Sequence, residues 1–359
     1  MHSKPIAALT HARVEAGACC TPGLFKSLSP GERKGSKLNV VYVPEGHGPT
    51  LQFVGPEPLG IDDLRVFQGL LGAASISEDG VWTTLDHDSQ STPGRALRDG
   101  LGADLAVRED QIAVAVDIAI AVVVRVSYAR LAAEIGYANV RDKSTIKDSI
   151  RRLFLVTVFK TQDGKTLGSR LLSRYEADDA REEICVAINP TMAAAVLGNA
   201  HFLRVNLTEA RMLAAPAARL IHQRLSWINQ GSSGTVSLRK LCDYAYPPAA
   251  ADELKRRAGV EALKAADRRR SLLALAGQAD EAQAAKARAE LAALDRALTI
   301  DPKKAEKERA DRTQRKHVGL VREALNELIA LGWRVVENGK NFKISRPKAG
   351  FVIEMVAMV

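Results

Sequence analysis

"RKHVGLVREALNELIALGWRVVENGKNFKISRP", residues 315–347, is the stretch on which the fold turns. Val318, Val321, Leu325 and Leu328 recur at spacings of 3, 4 and 3, laying an apolar stripe along one side of a helix. A hairpin follows, in which Asn338-Gly339 predicts a two-residue type I′ turn. That turn sets Trp333 opposite Ile344 and Val335 opposite Phe342 on the core side. The other side then carries Arg334 opposite Lys343, with Asn338, Asn341 and Ser345 nearby, and Lys340 at the turn is a further candidate DNA contact. On the polar face of the helix, Arg312, Arg315, Lys316, Gly319 and Arg322 come first, ahead of Glu323, Asn326 and Glu327. Cations near the start of a helix oppose its macrodipole by a few tenths of a kcal/mol each, and directly opposed cations destabilise a hairpin. A phosphate backbone reverses the sign of both effects. The stretch is therefore expected to place its helix in the major groove of DNA and its hairpin against the backbone.

Working outward, "EARMLAAPAARLIHQRLSWI" clusters Leu213, Leu220, Ile221, Leu225 and Ile228 on one helical face, and Ser237 is placed to cap "LRKLCDYAY". Between these elements and the opening stretch lies an Ala-rich, charged insertion at about 249–310. It is expected to form two antiparallel, solvated helices with a break at Gly277 and a stop at Pro302.

The first half repeats the plan. "LNVVYV" and "LQFV" read as strands, and "GIDDLRVFQGLLGAA" as a helix with Leu64, Phe67, Leu70 and Leu71 inward. The run "IAVAVDIAIAVVVRV" at 112–126 is interrupted by Asp117 and reads as buried β-structure. Next come a helix capped by Ser127 and stopped by Gly136, and a second helix that Ser144 can cap, with Ile146, Ile150 and Leu153 inward. Asp163-Gly164 then marks another hairpin. The predicted fold is thus α+β: two tandem winged-helix domains, each a helix-turn-helix with a β-hairpin wing. The first spans 36–200; the second spans 201–350 and carries the insertion. Residues 1–35 form a flexible N-terminal arm and 351–359 a C-terminal tail. In the first domain Lys143, Ser144, Thr145, Lys147, Arg151 and Arg152, with Lys160 and Lys165 on the hairpin, suit backbone phosphates better than bases.

Composition agrees with a nucleic-acid partner. Lys and Arg outnumber Asp and Glu by 51 to 42, a formal charge of +9. Cys19, Cys20, Cys185 and Cys242 match neither a zinc site nor a disulfide framework, which fits a reducing, cytoplasmic setting. No signal peptide or membrane span is read. The chain carries no Gly-rich phosphate loop, metal-ligand cluster or nucleophile elbow, so neither an enzymatic activity nor a cofactor is expected. His222 is the most enzyme-like residue, yet beside an apolar helical stripe it reads as structural. Tyr128, Tyr137 and Tyr175 lack the histidine metal cluster that a nicking chemistry needs.

The stretches "PGLF", "GERKGSKL", "GPEPLGIDDLRVFQGL", "LAAEIG", "RLLSRY", "AINPTMAAAVLG", "ARLIHQRL", "LVREALNELIALGW" and "SRPKAG" run in order from residue 22 to 350. In these the chain resembles the RepC family, the replication initiators of IncQ-type plasmids. The resemblance implies tandem winged helices that bind direct repeats, iterons, at the vegetative origin. It also implies opening of adjacent AT-rich DNA and loading of a plasmid-encoded replicative helicase, with the primase acting afterwards. It places the base-reading helix near Arg312 and the support helix at "ARLIHQRL". The 249–310 insertion and the terminal "FVIEMVAMV" depart from the family pattern. A repressor that binds an operator as a homodimer shares the same physics, but two unlike halves in one chain suit an asymmetric repeat better. An architectural protein working through its insertion is a third reading.

Overall fold

The computed structural model describes residues 9–28, 31–33, 36–44, 48–75, 82–86, 120–137, 143–248, 265–277, 281–298 and 302–348. The first part of the run at 112–126, the beginning of the insertion and the C-terminal tail lie outside the described residues. The chain divides into two compact units, one made of residues 1–247 and 321–359 and the other of 248–320.

In the first unit, β1 (His11–Glu15) leads directly into α1 (Ala16–Cys20), with the Glu15 carboxylate accepting from the Ala18 amide at 2.7 Å. β2 (Leu38–Tyr42), β3 (Thr50–Gly55), α2 (Ile61–Ala74), β4 (Trp82–Asp86) and β5 (Ile120–Ser127) follow. Next are α3 (Tyr128–Glu134), α4 (Lys143–Phe154) and the hairpin of β6 (Thr157–Gln162) and β7 (Lys165–Arg170). β8 (Leu172–Asp178), β9 (Glu183–Ile188), α5 (Pro190–Leu197) and β10 (Phe202–Asn206) complete the first half. Two four-stranded sheets run β2-β3-β6-β7 and β4-β5-β9-β8. β5 is an interior strand, which is why its valines alternate poorly in polarity and Val122 and Val124 are fully buried.

Within the expected arm, His11–Glu15 form a strand. β1 pairs with β10 from His11↔Asn206 to Glu15↔Phe202, and Ala12 and Val14 are fully buried. The alternation that places them inward is only five residues long, too short to stand out among the surrounding Gly and Pro.

The second half begins with α6 (Leu207–Met212) and α7 (Pro216–Leu225). Pro216 separates them because it suits the first turn of a helix and not its interior. β11 (Ser233–Ser237) then runs into α8 (Leu238–Ala245), whose cap is Ser237 as expected. The unit closes with residues 321–330 of a long helix and the strands β12 (Arg334–Asn338) and β13 (Asn341–Ser345), the sheet order being β11-β13-β12. The two halves share one interior: the Gln68 amide donates to Gln223 at 2.8 Å, and Arg211 donates to the Leu9 carbonyl at 2.8 Å.

The second unit contains α9 (265–276), α10 (Glu281–Leu298) and the first part of α11 (Pro302–Ala330), the long helix just mentioned. Arg268 and Glu290 join α9 to α10 at 3.3 Å, and Leu272, Ala284 and Ala287 are buried. Pro302 starts α11 rather than stopping α10, its missing N–H being harmless in a first turn. Arg312, Arg315 and Lys316 accordingly lie mid-helix, and the expected conflict with a helix N-terminus does not arise.

Candidate nucleic-acid interface

The C-terminal part of α11 is fixed from its inner side. Val321, Ala324, Leu325 and Leu328 are buried, and the Glu327 carboxylate accepts from the amides of Ala214 at 2.8 Å and Ala215 at 3.1 Å, just before α7. Beyond the helix, Trp333 is 2% exposed and its indole N–H donates to Glu209 at 2.9 Å. His222 Nε2 lies 2.9 Å from the same carboxylate oxygen, and Asn206 donates to the other at 2.8 Å. Burial alone would raise the Glu209 carboxyl; hydrogen bonding to His222, with the Arg346 charge and the Trp333 N–H, holds it below the usual range. His222 is therefore a buried structural residue, as its helical position suggests.

The hairpin register differs from the expected one by two residues. Arg334 faces Ser345, Val335 faces Ile344, Val336 faces Lys343, Glu337 faces Phe342 and Asn338 faces Asn341. The turn is Gly339-Lys340, and of these two only Gly339 has a positive φ, 63°, the signature of type II′ rather than I′. A shift of two keeps every side chain on its expected face while changing its partner. Arg334 and Lys343 are thus not directly opposed but lie diagonally, on adjacent rungs of one face. The first-half hairpin turns at Asp163-Gly164, as expected, with φ of 49° and 76°.

On the outer face of the sheet, three rungs cross all three strands. Ser233, Ser345 and Arg334 form one, Thr235, Lys343 and Val336 the next, and Ser237, Asn341 and Asn338 the third. The face holds two cations and no carboxylate. Over its first two rungs, with Gly231 and Ser232, lies a concavity of about 540 Å³. Arg334, Asn338, Asn341, Lys343 and Ser345 of this face are the residues that the sequence reading reaches by charge and turn position. The hydroxyls of β11 are found only once its register is known.

The acid of the hairpin, Glu337, points the other way. Arg322 Nη1 and Nη2 donate to its two oxygens at 3.0 and 2.7 Å, a bidentate pair that holds the Glu337 carboxyl below its usual range. The candidate base reader of this unit is thus already held by a carboxylate. Lys340 is exposed in the turn. Arg312, Arg315, Lys316 and Gly319 are exposed on the stretch of α11 that belongs to the second unit.

The candidates of the first half are engaged differently. Lys143 pairs with Glu182 at 3.1 Å and Lys147 with Asp179, and both ammonium groups lie over the Tyr128 ring, at 5.0 and 5.5 Å. Ser144 sits inside the first turn of α4, which starts at Lys143. Thr145 is half-buried, and Ser144 and Arg151 are exposed. Arg152 is structural: its Nε donates at 2.7 Å to Asp63, which is fully buried and also takes Arg33 at 3.0 Å. Lys160 and Lys165 lie on β6 and β7, facing Leu167 and Gln162. Among the described residues, no group of three or more His, Cys, Asp or Glu side chains could hold a metal ion, and no helix is long and apolar enough to cross a membrane.

A basic chain of mixed helix and sheet, with a helix leading into a cationic hairpin, has the form of a nucleic-acid-binding protein. The sequence matches the family model "Replication protein C (RepC)" over residues 6–274, and the chain belongs to that family of replication proteins, for which DNA is the implied partner. No curated protein matches it. Among solved structures, the crystal structure of selenomethionine derivatives of domains 2 and 3 of RctB is similar at 13% identity and a TM-score of 0.37, covering 71% of this chain and 83% of that one. A second structure of RctB domains 2–3 is similar at 11% identity and a TM-score of 0.32, covering 62% and 74%.

Proposed function

We propose that this chain initiates plasmid replication by binding directly repeated sites at an origin, opening adjacent AT-rich DNA and admitting a plasmid-encoded replicative helicase, after which a primase acts. The observation that carries the reading is the order α7, β11, α8, α11, β12, β13 with sheet order β11-β13-β12, within a replication-protein family. That order corresponds to a winged helix, in which α11 lies in the major groove and the hairpin is the wing. The helical insertion lengthens the connection between α8 and α11. A second winged helix, formed around α3, α4 and the β6-β7 hairpin, supplies backbone contacts through Arg151 and Lys165. Opening is driven by binding energy, without a catalytic residue or cofactor.

The test is binding of the purified chain to a direct-repeat array from its own origin, against a scrambled duplex, across a range of salt. Preference for the repeats that persists as salt rises, with one protein added per repeat, supports the reading. Preference for a palindrome replaces it with a repressor, and loss of all discrimination with salt replaces it with a non-specific DNA binder.

A further inference from the structure

Arg224 of α7 is 7% exposed, and among the described residues no carboxylate forms an ion pair with it. Its guanidinium donates instead to the Cys19 carbonyl at 3.3 Å, stands 5.3 Å from the centre of the Tyr244 ring and hydrogen-bonds Cys20. A buried charge is costly until an anion meets it, and the group in contact with Arg224 that can become one is the Cys20 thiol. Cys20 ends α1 and is half-buried, so a small reagent reaches it, whereas Cys19 is 1% exposed. Cys19 Sγ lies 3.4 Å from the Gln223 carbonyl oxygen and within hydrogen-bond reach of the Cys20 sulfur. The hydrogen bond from Cys19, and then the Arg224 charge, bring the Cys20 thiol down to about 7 against the effect of burial. The same bond, with burial, pushes the Cys19 thiol up. One sulfur thus ionises near neutrality while its neighbour keeps its proton.

We propose that Cys20 is a site of oxidation by hydrogen peroxide and that Cys19 resolves it into a disulfide between the two adjacent residues. The Cys20 thiolate attacks one peroxide oxygen. The S–O bond forms as the O–O bond breaks, the sulfur is oxidised to a sulfenic acid, and the other oxygen leaves as hydroxide, which takes a proton from solvent. The Cys19 thiol then attacks the Cys20 sulfur: the S–S bond replaces the S–O bond, and the oxygen leaves as water with the Cys19 proton. Adjacent Cα atoms are held about 3.8 Å apart, short of the usual disulfide span, so the bond is strained and readily reduced. Closing it pulls the end of α1 out of helical geometry. The Thr21 amide there donates to the Gly17 carbonyl at 2.8 Å, and the Cys19 carbonyl accepts from Gln223 and Arg224 at 3.4 and 3.3 Å. Oxidation therefore loosens α1 from α7. Joining neighbours in sequence closes no loop of the unfolded chain, so nothing offsets the lost contacts.

The test uses the full chain, reduced and then freed of reductant, with no nucleic acid present, and follows each cysteine by peptide mass spectrometry. At neutral pH iodoacetamide should alkylate Cys20 at least about tenfold faster than Cys185, which is also half-buried but whose thiol burial pushes up. The Cys20 rate should climb through a midpoint at about 7, and Arg224→Gln should move that midpoint upward. The wild-type comparison with Cys185 stands whether or not that variant folds. Hydrogen peroxide should turn the wild-type peptide holding Cys19 and Cys20 into one lighter by two hydrogens, reversed by dithiothreitol. In Cys19→Ser it should leave a sulfenic acid at Cys20 that dimedone traps. The oxidised wild type should melt below the reduced protein, and Cys20→Ser should melt alike before and after peroxide. Alkylation of Cys20 no faster than that of Cys185 overturns the nucleophile, and an unmoved midpoint in folded Arg224→Gln overturns the part given to Arg224. A sulfenic acid that persists in the wild type, or a disulfide joining Cys20 of two chains, overturns Cys19 as the resolving thiol. A Cys19–Cys20 disulfide that leaves the melting temperature unchanged overturns the loosening of α1.

Discussion

At the residue scale, Arg322 and His11 show charge acting in opposite ways. Arg322 gives both terminal nitrogens to Glu337, so the base contact proposed for it requires exchanging one bidentate acceptor for another, such as the O6 and N7 edge of guanine. Arg322→Ala is expected to cost about 1 to 3 kcal/mol on the specific repeat and less on random duplex, measured by anisotropy on both. Equal losses would make it a phosphate contact. His11 is held neutral: burial, then the Arg204 and Arg346 charges, depress its pKa to about 4, against the smaller opposing pull of Glu209. The unfolded chain takes up this proton near pH 6.5 and the folded chain only near 4. The contribution to stability is therefore complete above about 6.5 and lost as pH falls through 4. Thermal melts from pH 7 to 4 should show falling stability, and His11→Asn should flatten that slope; an unchanged slope would refute the assignment. The Arg322 candidate was legible from its helical face. Its partner was not, because Glu337 reaches it across the fold.

At the element scale, strand joins helix through a single polar residue at several points. Ser127, Asn206 and Ser237 each end a strand and accept from an amide of the following helix, that of Arg130, Glu209 and Lys240 respectively. Ser127 and Ser237 were readable as caps because a short polar residue stood just before an apolar period. The C-terminal hairpin was readable in its faces but not in its pairing. "ENGKN" offers two candidate turns, and side-chain periodicity cannot separate registers that differ by two. Gly339→Ala tests the outcome. A Cβ there meets no atom within 4 Å, so any loss of stability reports backbone strain at φ 63°. The expected cost is about 1 to 3 kcal/mol by denaturant unfolding. The same replacement at an ordinary extended position would cost nothing of this kind.

At the scale of the whole molecule, the halves that look like tandem domains are one compact unit, and the helical insertion is largely another. The sequence displays repeated local patterns, but the side chains that merge the halves are single polar residues such as Gln68, Gln223 and Arg211, which have no period to read. Residues 201–359 produced alone should therefore fail to fold, because α7 would lose α2 and β10 would lose β1. Sharp near-ultraviolet circular dichroism from that fragment would contradict the shared interior. The β1–β10 pairing also orders events at the ribosome. His11 is made near the beginning of synthesis, and its partner Asn206 only about 190 residues later. At 5 to 20 residues per second the first strand waits roughly 10 to 40 s for its mate. Nascent chains stalled before that point expose an unpaired edge, so the burden on chaperones should peak midway through translation and drop once residues 202–206 emerge.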